Sequence, residues 1–188
     1  MDLELSSDRI SLRRYCAADI PLVHEAARES ISEISPWMPW CHPNYSMEDS
    51  AAFVLSRDDA WANQVESSLV ITDSHSGTFL GSVGLNYFNR DHQFANLGYW
   101  VRSSGTGRGA ATTATILTAR FGLRNLGLQR VEIVVAVENK ASQRVAEKAG
   151  AQNEGVLRNR LLLHGRPHDA VMYSLIAADV FGKGESHE

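Results

Sequence analysis

The residues that most clearly suggest chemistry are three glycines placed two apart, Gly105, Gly107 and Gly109, within the segment SSGTGRGAATTA. A predicted strand precedes the segment and a predicted helix follows it, and the first four N–H groups of a helix have no partner inside it. The helix dipole adds partial positive charge at that end, and Arg108 adds a full charge. Because glycine lacks a Cβ, its backbone can approach a phosphate closely. The segment predicts an anion-binding loop; a tight turn that binds nothing is the plainer alternative.

The letters of this loop also fit part of the dinucleotide-binding fingerprint, as Gly105-x-Gly107-x-x-Ala110. In that fold the glycines directly follow a buried apolar strand, whereas here the polar residues 102–104 intervene. The chain has no Gly-Lys-Ser/Thr sequence, which excludes a Walker-type nucleotide loop. These departures favour a phosphate-bearing ligand of another kind.

The elements that position the loop alternate between strands and helices. Alternating or β-branched runs predict strands at residues 10–13, 68–72, 79–87, 95–101, 131–137, 153–157 and 170–176. Caps and spacing predict helices at about residues 20–30, 46–61, 110–127 and 140–149. The run VEIVVAV predicts a strand buried on both faces, and the proline-rich segment SPWMPWCHPNY predicts a loop. The order βααβββαβαββ predicts an α/β fold with a mixed sheet.

Composition narrows the class of protein. The 188 residues include 18 Lys and Arg against 22 Asp and Glu, for a net charge of -4, which argues against a nucleic-acid binder. We expect one domain over residues 1–180 and a polar tail over 181–188. Two cysteines exclude a disulfide framework, and no stretch approaches the roughly 20 apolar residues that cross a bilayer. With an acidic, polar start in place of a secretory signal, the sequence predicts a soluble cytoplasmic protein without a membrane partner.

The glycine loop resembles the acyl-CoA-binding loop of the GNAT acetyltransferases, whose signature is Arg/Gln-x-x-Gly-x-Gly/Ala before a helix. Residues 106–111, TGRGAA, carry the match, with Thr106 at the position where the family prefers Gln or Arg. The flanking segments GYWV and RVEIVVAVENKASQRVAEKAGAQNEGVLRN, together with PWMPW and HDAVMYSL, resemble the RimJ/RimL-type branch. That branch includes acetyltransferases of ribosomal-protein N-termini. The similarity runs from about Ile10 to Ile176.

The resemblance implies a strongly twisted mixed sheet of about seven strands, flanked by four helices and splayed open between its fourth and fifth strands. These two strands correspond to residues 95–101 and 131–137. Acetyl-CoA, the implied co-substrate, would lie in the splay, with its pantetheine arm on the fourth strand and its diphosphate on the amides of residues 107–112. The implied cofactor-binding residues are Trp100, Val101, Arg102, Thr106, Gly107, Arg108, Gly109, Ala110, Ala111, Thr112, Asn139 and Ser142.

The family forms a direct ternary complex, so neither Cys16 nor Cys41 is needed as a nucleophile. Relatives of this type often pair as dimers, which makes a homodimer a possible partner. Attack of an amine on a thioester requires a neutral amine, an oxyanion donor and a proton for sulfur. The family implies that the backbone N–H near Val101 serves the oxyanion.

Asn139 and Ser142 follow a predicted strand as Asn-x-x-Ser, which predicts a helix cap, a catalytic pair, or both. In the catalytic interpretation, the Asn139 side chain holds the pantetheine amide. The Ser142 hydroxyl donates a proton to the departing sulfur. A weak donor suffices, because a thiol has an ordinary pKa of about 8.5.

No dedicated carboxylate base is predicted, because family members place one at the position of Asn96 or near Leu161 and this chain has neither. His42 and Glu154 are the remaining candidates, with surface solvation as the plainer interpretation of both. At pH 7 an α-amine of pKa about 7.8 is roughly 350-fold more often neutral than a lysine of pKa about 10.4. The sequence therefore favours a protein or peptide N-terminal α-amine as acceptor, with a small-molecule amine as the alternative.

Trp37, Trp40 and His42 lie in the proline-rich loop, which borders the acceptor groove in the family, and we expect them with Asn96 on the substrate side. Burial of both tryptophans in the core is the alternative interpretation.

We predict no metal site, because glycine and proline break any helix between His164 and His168. A CoA-binding or sensing module without catalysis, and a nicotinamide-dependent oxidoreductase, are the competing functions.

Overall fold

Regular elements cover most of residues 3–182, which are the residues that the computed structural model describes. Residues 183–188, most of the predicted tail, lie outside them. The strands are β1 (Glu4–Ser6), β2 (Ile10–Arg13), β3 (Glu66–Asp73), β4 (Phe79–Asn89), β5 (Phe94–Val101), β6 (Arg130–Ala136), β7 (Gln152–Leu163) and β8 (Arg166–Leu175). The helices are α1 (Ile20–Glu29), α2 (Ile31–Ile34), α3 (Met47–Leu55), α4 (Arg57–Ala62), α5 (Ala110–Asn125), α6 (Lys140–Lys148) and α7 (Ala177–Phe181). None of these helices is both long and apolar enough to span a membrane.

All eight strands form one mixed sheet in the order β1-β2-β3-β4-β5-β6-β8-β7. Neighbouring strands are antiparallel except β5 and β6, which are parallel and joined through the crossover helix α5. These two strands pair only at their first residues, from Phe94↔Arg130 to Asn96↔Glu132. Residues 97–101 of β5 have no strand partner on that side, while β6 pairs with β8 from Val131 to Ala136. The predicted α/β fold and its splay between residues 95–101 and 131–137 are confirmed.

Helices pack on both faces of the sheet because β4 and β5 alternate apolar side chains between the two sides. Leu85 and Leu97 face α5 in the larger core, whereas Trp100 packs with α1 and α3 in a second core. Gly122 lets α5 approach β4 closely, since a Cβ there would lie 2.9 Å from a Leu85 methyl carbon. The sheet is therefore covered on both faces, and the splay opens at its centre.

The predicted capping box at the second helix is present. The Ser46 N–H donates to Asp49 Oδ2 at 2.9 Å, and the Asp49 N–H donates to Ser46 Oγ at 3.2 Å. The predicted continuous helix over 46–61 is divided at Ser56, whose hydroxyl donates to the Phe53 carbonyl at 2.8 Å. Such a bond competes with the helical pattern and lets the chain turn into α4.

Three further strand predictions differ from the structure. β6 is not buried on both faces, because Glu132 and Val134, which alternate with its buried residues, are partly exposed. β7 and β8 are longer than predicted, since nearly all of β7 is exposed and lacks an apolar alternation. The three-residue strand β1 and the short helices α2 and α7 are too short to give a recognisable sequence pattern.

Candidate functional site

The glycine loop ends in free backbone amides at the start of α5. Gly107 and Gly109 adopt positive φ of 76° and 83°, and an added Cβ at either would meet nothing within 4 Å. The first bond of α5 runs from the Thr113 N–H to the Gly109 carbonyl at 2.9 Å. Within residues 3–182, the amides of 107–112 have no hydrogen-bond acceptor. These N–H groups can therefore bind an anion, as predicted.

The start of the loop is anchored on α1. The Arg102 guanidinium lies 2.7 Å from Glu25 and also pairs with Glu29, and the Ser104 N–H donates to Glu29 at 2.7 Å. These donors lower the pKa of Glu29 to about 2, with the Arg102 hydrogen bond as the largest cause. The Ser103 N–H donates to the α1 C-cap residue Ser30 at 2.9 Å. The loop thus takes its position from a helix about 73 residues earlier.

We expect the anchoring of the loop to weaken at low pH. The folded Glu29 pKa of about 2 lies below its ordinary value of 4.5. Its contribution to stability is therefore complete above pH 4.5 and is lost as the pH falls toward 2. Thermal unfolding should give a lower Tm for Glu29→Gln than for wild type at pH 7, and the difference should shrink between pH 4.5 and 2.

The matched control is Glu25→Gln, which removes the more exposed partner of Arg102, whose side chain is 65% exposed against 28% for Glu29. Its effect on Tm should be smaller. A Tm difference for Glu29→Gln that stays constant from pH 7 to pH 2 would contradict the assignment.

A cleft of about 400 Å³ lies beside the loop, between the end of β5 and α6. We call it the loop cleft. Ten predicted cofactor-binding residues line it, namely Trp100, Val101, Thr106, Gly107, Gly109, Ala110, Ala111, Thr112, Asn139 and Ser142. A cleft therefore accompanies the free amides.

Two predicted cofactor-binding residues do not line the loop cleft. The Arg102 N–H donates to the Leu80 carbonyl, its carbonyl accepts from Gly105, and its side chain binds α1. Arg108 is exposed to solvent. Successive residues of a strand direct their N–H groups to opposite sides. Since the Arg102 N–H faces β4, the Val101 N–H faces the splay.

The two polar side chains at the start of α6 have separate partners. Asn139 Oδ1 accepts from the Ser142 N–H at 3.1 Å, so Asn139 caps the helix. The Ser142 hydroxyl takes no part in the cap and lies 2.7 Å from the Tyr99 hydroxyl. The cap is thus present, and Ser142 Oγ remains at the loop cleft.

Tyr99 is a site residue that the sequence analysis does not identify. Its hydroxyl reaches Ser142 across the splay, and burial raises its pKa to about 12. Its only sequence signal is its place in GYWV, where it alternates with the core residue Trp100. That alternation places the two aromatic side chains on opposite faces of β5, but it does not indicate a partner on α6.

A second cavity of about 520 Å³ lies on the face of β4 and β5 that carries Trp100, opposite the face that packs on α5. We call it the aromatic cavity. Its walls include Trp40, Tyr45, Phe53 and Trp100, with the Trp40 ring 5.5 Å from that of Trp100. Its floor crosses three strands at the aligned residues Ser68, Gly84 and Gly98. The floor has little side-chain volume, so the cavity reaches the sheet backbone.

The predicted acceptor-side residues separate in the structure. Trp40 and His42 line the aromatic cavity, whereas Trp37 lines the loop cleft. Neither tryptophan is buried in the core. Asn96 lines neither space, and its side-chain amide donates to Asn86 Oδ1 at 2.8 Å, which places it behind a residue that lines the aromatic cavity.

Charged side chains in the aromatic cavity have partners of their own. Arg57 Nη1 lies 2.8 Å from Glu66 Oε2, and its guanidinium lies over the Phe53 ring. Asp49 accepts the capping bond of α3, and His42 Nε2 lies 3.9 Å from Asp49 Oδ2. Of these groups, His42 is the one that the sequence analysis considers as a base.

Glu154, the other candidate base, is poorly suited to that role. Arg130 donates to it at 2.6 Å and Ser174 at 2.7 Å, and these bonds lower its pKa to about 2. It lies on β7 and lines neither the loop cleft nor the aromatic cavity. Among residues 3–182, no three His, Cys, Asp or Glu side chains form a group that can hold a metal ion.

Comparison with known proteins identifies the family of this chain and solved structures that share its fold. Residues 9–152 match the family model described as an acetyltransferase (GNAT) domain. YdaF of Bacillus subtilis strain 168, provisionally named a ribosomal N-acetyltransferase, is 32% identical over 180 residues, covering 94% of this chain and 96% of YdaF.

Two solved structures share the fold. RimL, a ribosomal-protein α-N-acetyltransferase in complex with coenzyme A, superposes with a TM-score of 0.84 at 21% identity, over 93% of this chain and 98% of RimL. RimJ of Mycobacterium smegmatis, in complex with a CoA disulfide, has a TM-score of 0.84 at 22% identity, over 95% and 88% of the two chains.

Proposed function

The chain belongs to the GNAT family of N-acetyltransferases, and we propose that it transfers the acetyl group of acetyl-CoA directly to the α-amine of a protein or peptide N-terminus. One observation supports this proposal above the others. The loop cleft and the aromatic cavity share Met38, Tyr99 and Trp100 as lining residues, so they adjoin at the end of β5. A thioester in one space and an amine in the other would meet there.

The loop cleft suits acetyl-CoA as a co-substrate. Free amides at residues 107–112 can donate hydrogen bonds to a diphosphate, and the helix dipole of α5 favours its negative charge. The unpaired edge of β5 can hydrogen-bond an extended pantetheine arm. Asn139 and Ser142 line the same cleft at the start of α6, where they can contact that arm. The CoA complexes of RimL and RimJ support the same ligand class.

Two groups that line the loop cleft match the demands of thioester aminolysis. The Val101 N–H faces the splay, where it can donate to the developing oxyanion. The Ser142 hydroxyl is free of the helix cap and can donate a proton to the departing sulfur. Neither Cys16 nor Cys41 lines the loop cleft or the aromatic cavity, which agrees with direct attack by the amine.

The α-amine is favoured as acceptor by the absence of a strong base at the two family positions. Asn96 is an amide bound to Asn86, and Leu161 lines an apolar part of the splay. Without help from the enzyme, an α-amine is neutral roughly 350-fold more often than lysine at pH 7. The name of YdaF, a ribosomal N-acetyltransferase, refers to a ribosomal acceptor, which supports a protein as the acceptor.

An amine panel with acetyl-CoA tests this function, with release of free thiol as the measurement. A lysine-free peptide with a free N-terminus should react faster at pH 7 than a peptide with a blocked N-terminus and one lysine. The ratio should be on the order of 100-fold, up to the roughly 350-fold difference in neutral amine. A preference for lysine would contradict the proposed acceptor. Binding of acetyl-CoA without thiol release for any amine of the panel would instead indicate a CoA-binding module.

A small-molecule amine is the second candidate acceptor, and the aromatic cavity favours it. About 520 Å³ lies within the range of roughly 300–1,000 Å³ that small-molecule sites occupy. Aromatic walls with a few polar groups are also typical of such sites. Compact aromatic amines belong in the same panel, and rates above those of the peptides would favour this acceptor.

A further inference from the structure

Direct acetyl transfer changes the protonation of two atoms, and the junction of the two spaces has few groups that can carry a proton between them. The attacking nitrogen must lose a proton, and the departing sulfur must gain one. Asp49 and Glu66 line the aromatic cavity, but Asp49 caps α3 and Glu66 pairs with Arg57. Neither carboxylate lines the loop cleft.

Tyr99 differs in chemistry from the other residues that line both spaces. Of the three residues that line both spaces, Met38 has a thioether and Trp100 only a donor, whereas the Tyr99 hydroxyl both donates and accepts. That hydroxyl lies 2.7 Å from Ser142 Oγ, with either oxygen able to donate, and 3.2 Å from the Ser142 carbonyl oxygen, which can also accept its hydrogen bond. Two hydroxyls in contact can pass a proton along, because each accepts one hydrogen while it donates another.

We propose that Tyr99 and Ser142 form a proton relay that carries a proton from the attacking amine to the sulfur of CoA. This inference rests on the proposed acetyltransferase function. The amine nitrogen bonds to the thioester carbon, and the carbonyl electron pair moves to oxygen. When the carbonyl re-forms, the C–S bond breaks and its electron pair stays on sulfur. One N–H proton moves to the Tyr99 oxygen, the Tyr99 proton to Ser142 Oγ, and the Ser142 proton to sulfur.

The relay accounts for catalysis without a carboxylate base. The proton released by nitrogen is the one that sulfur needs, so no proton is exchanged with solvent. Burial raises the pKa of Tyr99 to about 12, so its phenolate is scarce at neutral pH. Tyr99 therefore acts only by passing one proton on as it receives another, and the amine must arrive neutral.

The pH dependence separates this relay from a histidine base. Single-turnover rates should rise with an inflection at the pKa of the acceptor and should move with that pKa when the acceptor is changed. An inflection that stays at one pH with every acceptor would indicate a base on the protein, with His42 as the candidate, and would overturn the relay. The titratable and charged groups around the junction are Glu33, His42, Tyr45, Asp49, Arg57, Glu66, Arg144, Lys148 and, behind Tyr99, Tyr173.

The decisive measurement is a proton inventory on the wild-type chain. A preformed complex with acetyl-CoA is mixed with an N-terminal peptide in H₂O–D₂O mixtures, and the single-turnover rate is followed. The relay moves several protons together, so the rate should fall below a straight line between the two pure solvents. A linear dependence would mean that one proton moves and would overturn the relay.

Variants provide an independent test. Tyr99→Phe and Ser142→Ala should each lower the single-turnover rate about 100-fold, and the double variant should lose no more than either, because the two hydroxyls act as one unit. Tyr173→Phe is the matched control, since its buried hydroxyl donates to Glu147 and lines neither space.

Additive losses, or a full rate for Tyr99→Phe, would overturn the relay while the proposed function stands. If no amine releases thiol from acetyl-CoA with the wild-type chain, both are overturned. Protection by acetyl-CoA in thermal unfolding shows that each variant still folds and binds.

Discussion

Replacement of Ser142 with alanine should lower kcat by about 100-fold while the Kd for acetyl-CoA changes by less than about 3-fold. The expected loss is at the low end of that for a general acid, because a thiolate departs without strong assistance. Binding should persist because the cap of α6 uses the Ser142 N–H and the Asn139 side chain, both of which the variant retains. Thiol-release kinetics and equilibrium binding measure the two quantities separately.

The control for this variant is Ser174→Ala, which removes a buried serine hydroxyl that donates to Glu154 at 2.7 Å and lines neither reacting space. It should leave kcat close to wild type. Unchanged turnover in Ser142→Ala would remove the hydroxyl from the mechanism, and an equal loss in both variants would point to a structural effect.

Filling the floor of the aromatic cavity should block the acceptor without affecting acetyl-CoA. A Cβ at Gly98 would meet no atom within 4 Å, and the residue has no positive φ, so Gly98→Leu can be accommodated in β5. Its side chain would occupy space that the acceptor requires. A loss of about 1.4–2.8 kcal/mol of acceptor binding would lower kcat/KM for the amine roughly 10- to 100-fold. The Tm and the Kd for acetyl-CoA should stay near wild type.

Gly84→Ala provides the contrast, because it adds one methyl group to the neighbouring residue of the same floor. Its Cβ would lie 2.9 Å from the Ser68 Cα, so this smaller change should destabilise the sheet and lower Tm. An unaffected kcat/KM for amines in Gly98→Leu would show that the acceptor does not enter by the aromatic cavity.

The parts of the site that sequence analysis predicts well are local in the chain. The positive φ at Gly107 and Gly109 and the free amides after them depend on a few consecutive residues. The Asn-x-x-Ser cap and the capping box at Ser46 are equally local, with both partners three residues apart. Such features follow from backbone geometry, and the structure contains each of them.

Predictions that depended on where a side chain points in the folded chain were less complete. Arg102 is part of the predicted CoA-binding strand, but its charge is used to hold the loop on α1. Trp37 and Trp40 lie three positions apart in one loop and line different spaces. Glu154 is a free carboxylate in the sequence and an ion-pair partner of Arg130 in the structure. In each case the deciding neighbour is distant in the chain.

The sequence by itself determined the anion-binding loop, the alternation of strands and helices, and the family resemblance, because each depends on residues that are close along the chain. Only the tertiary structure decided that Tyr99 meets Ser142, 43 residues later, and that two spaces adjoin at the end of β5. The physical reason is the splay. Its opening depends on where β5 and β6 stop pairing, and strand pairing is a long-range interaction that local patterns do not specify.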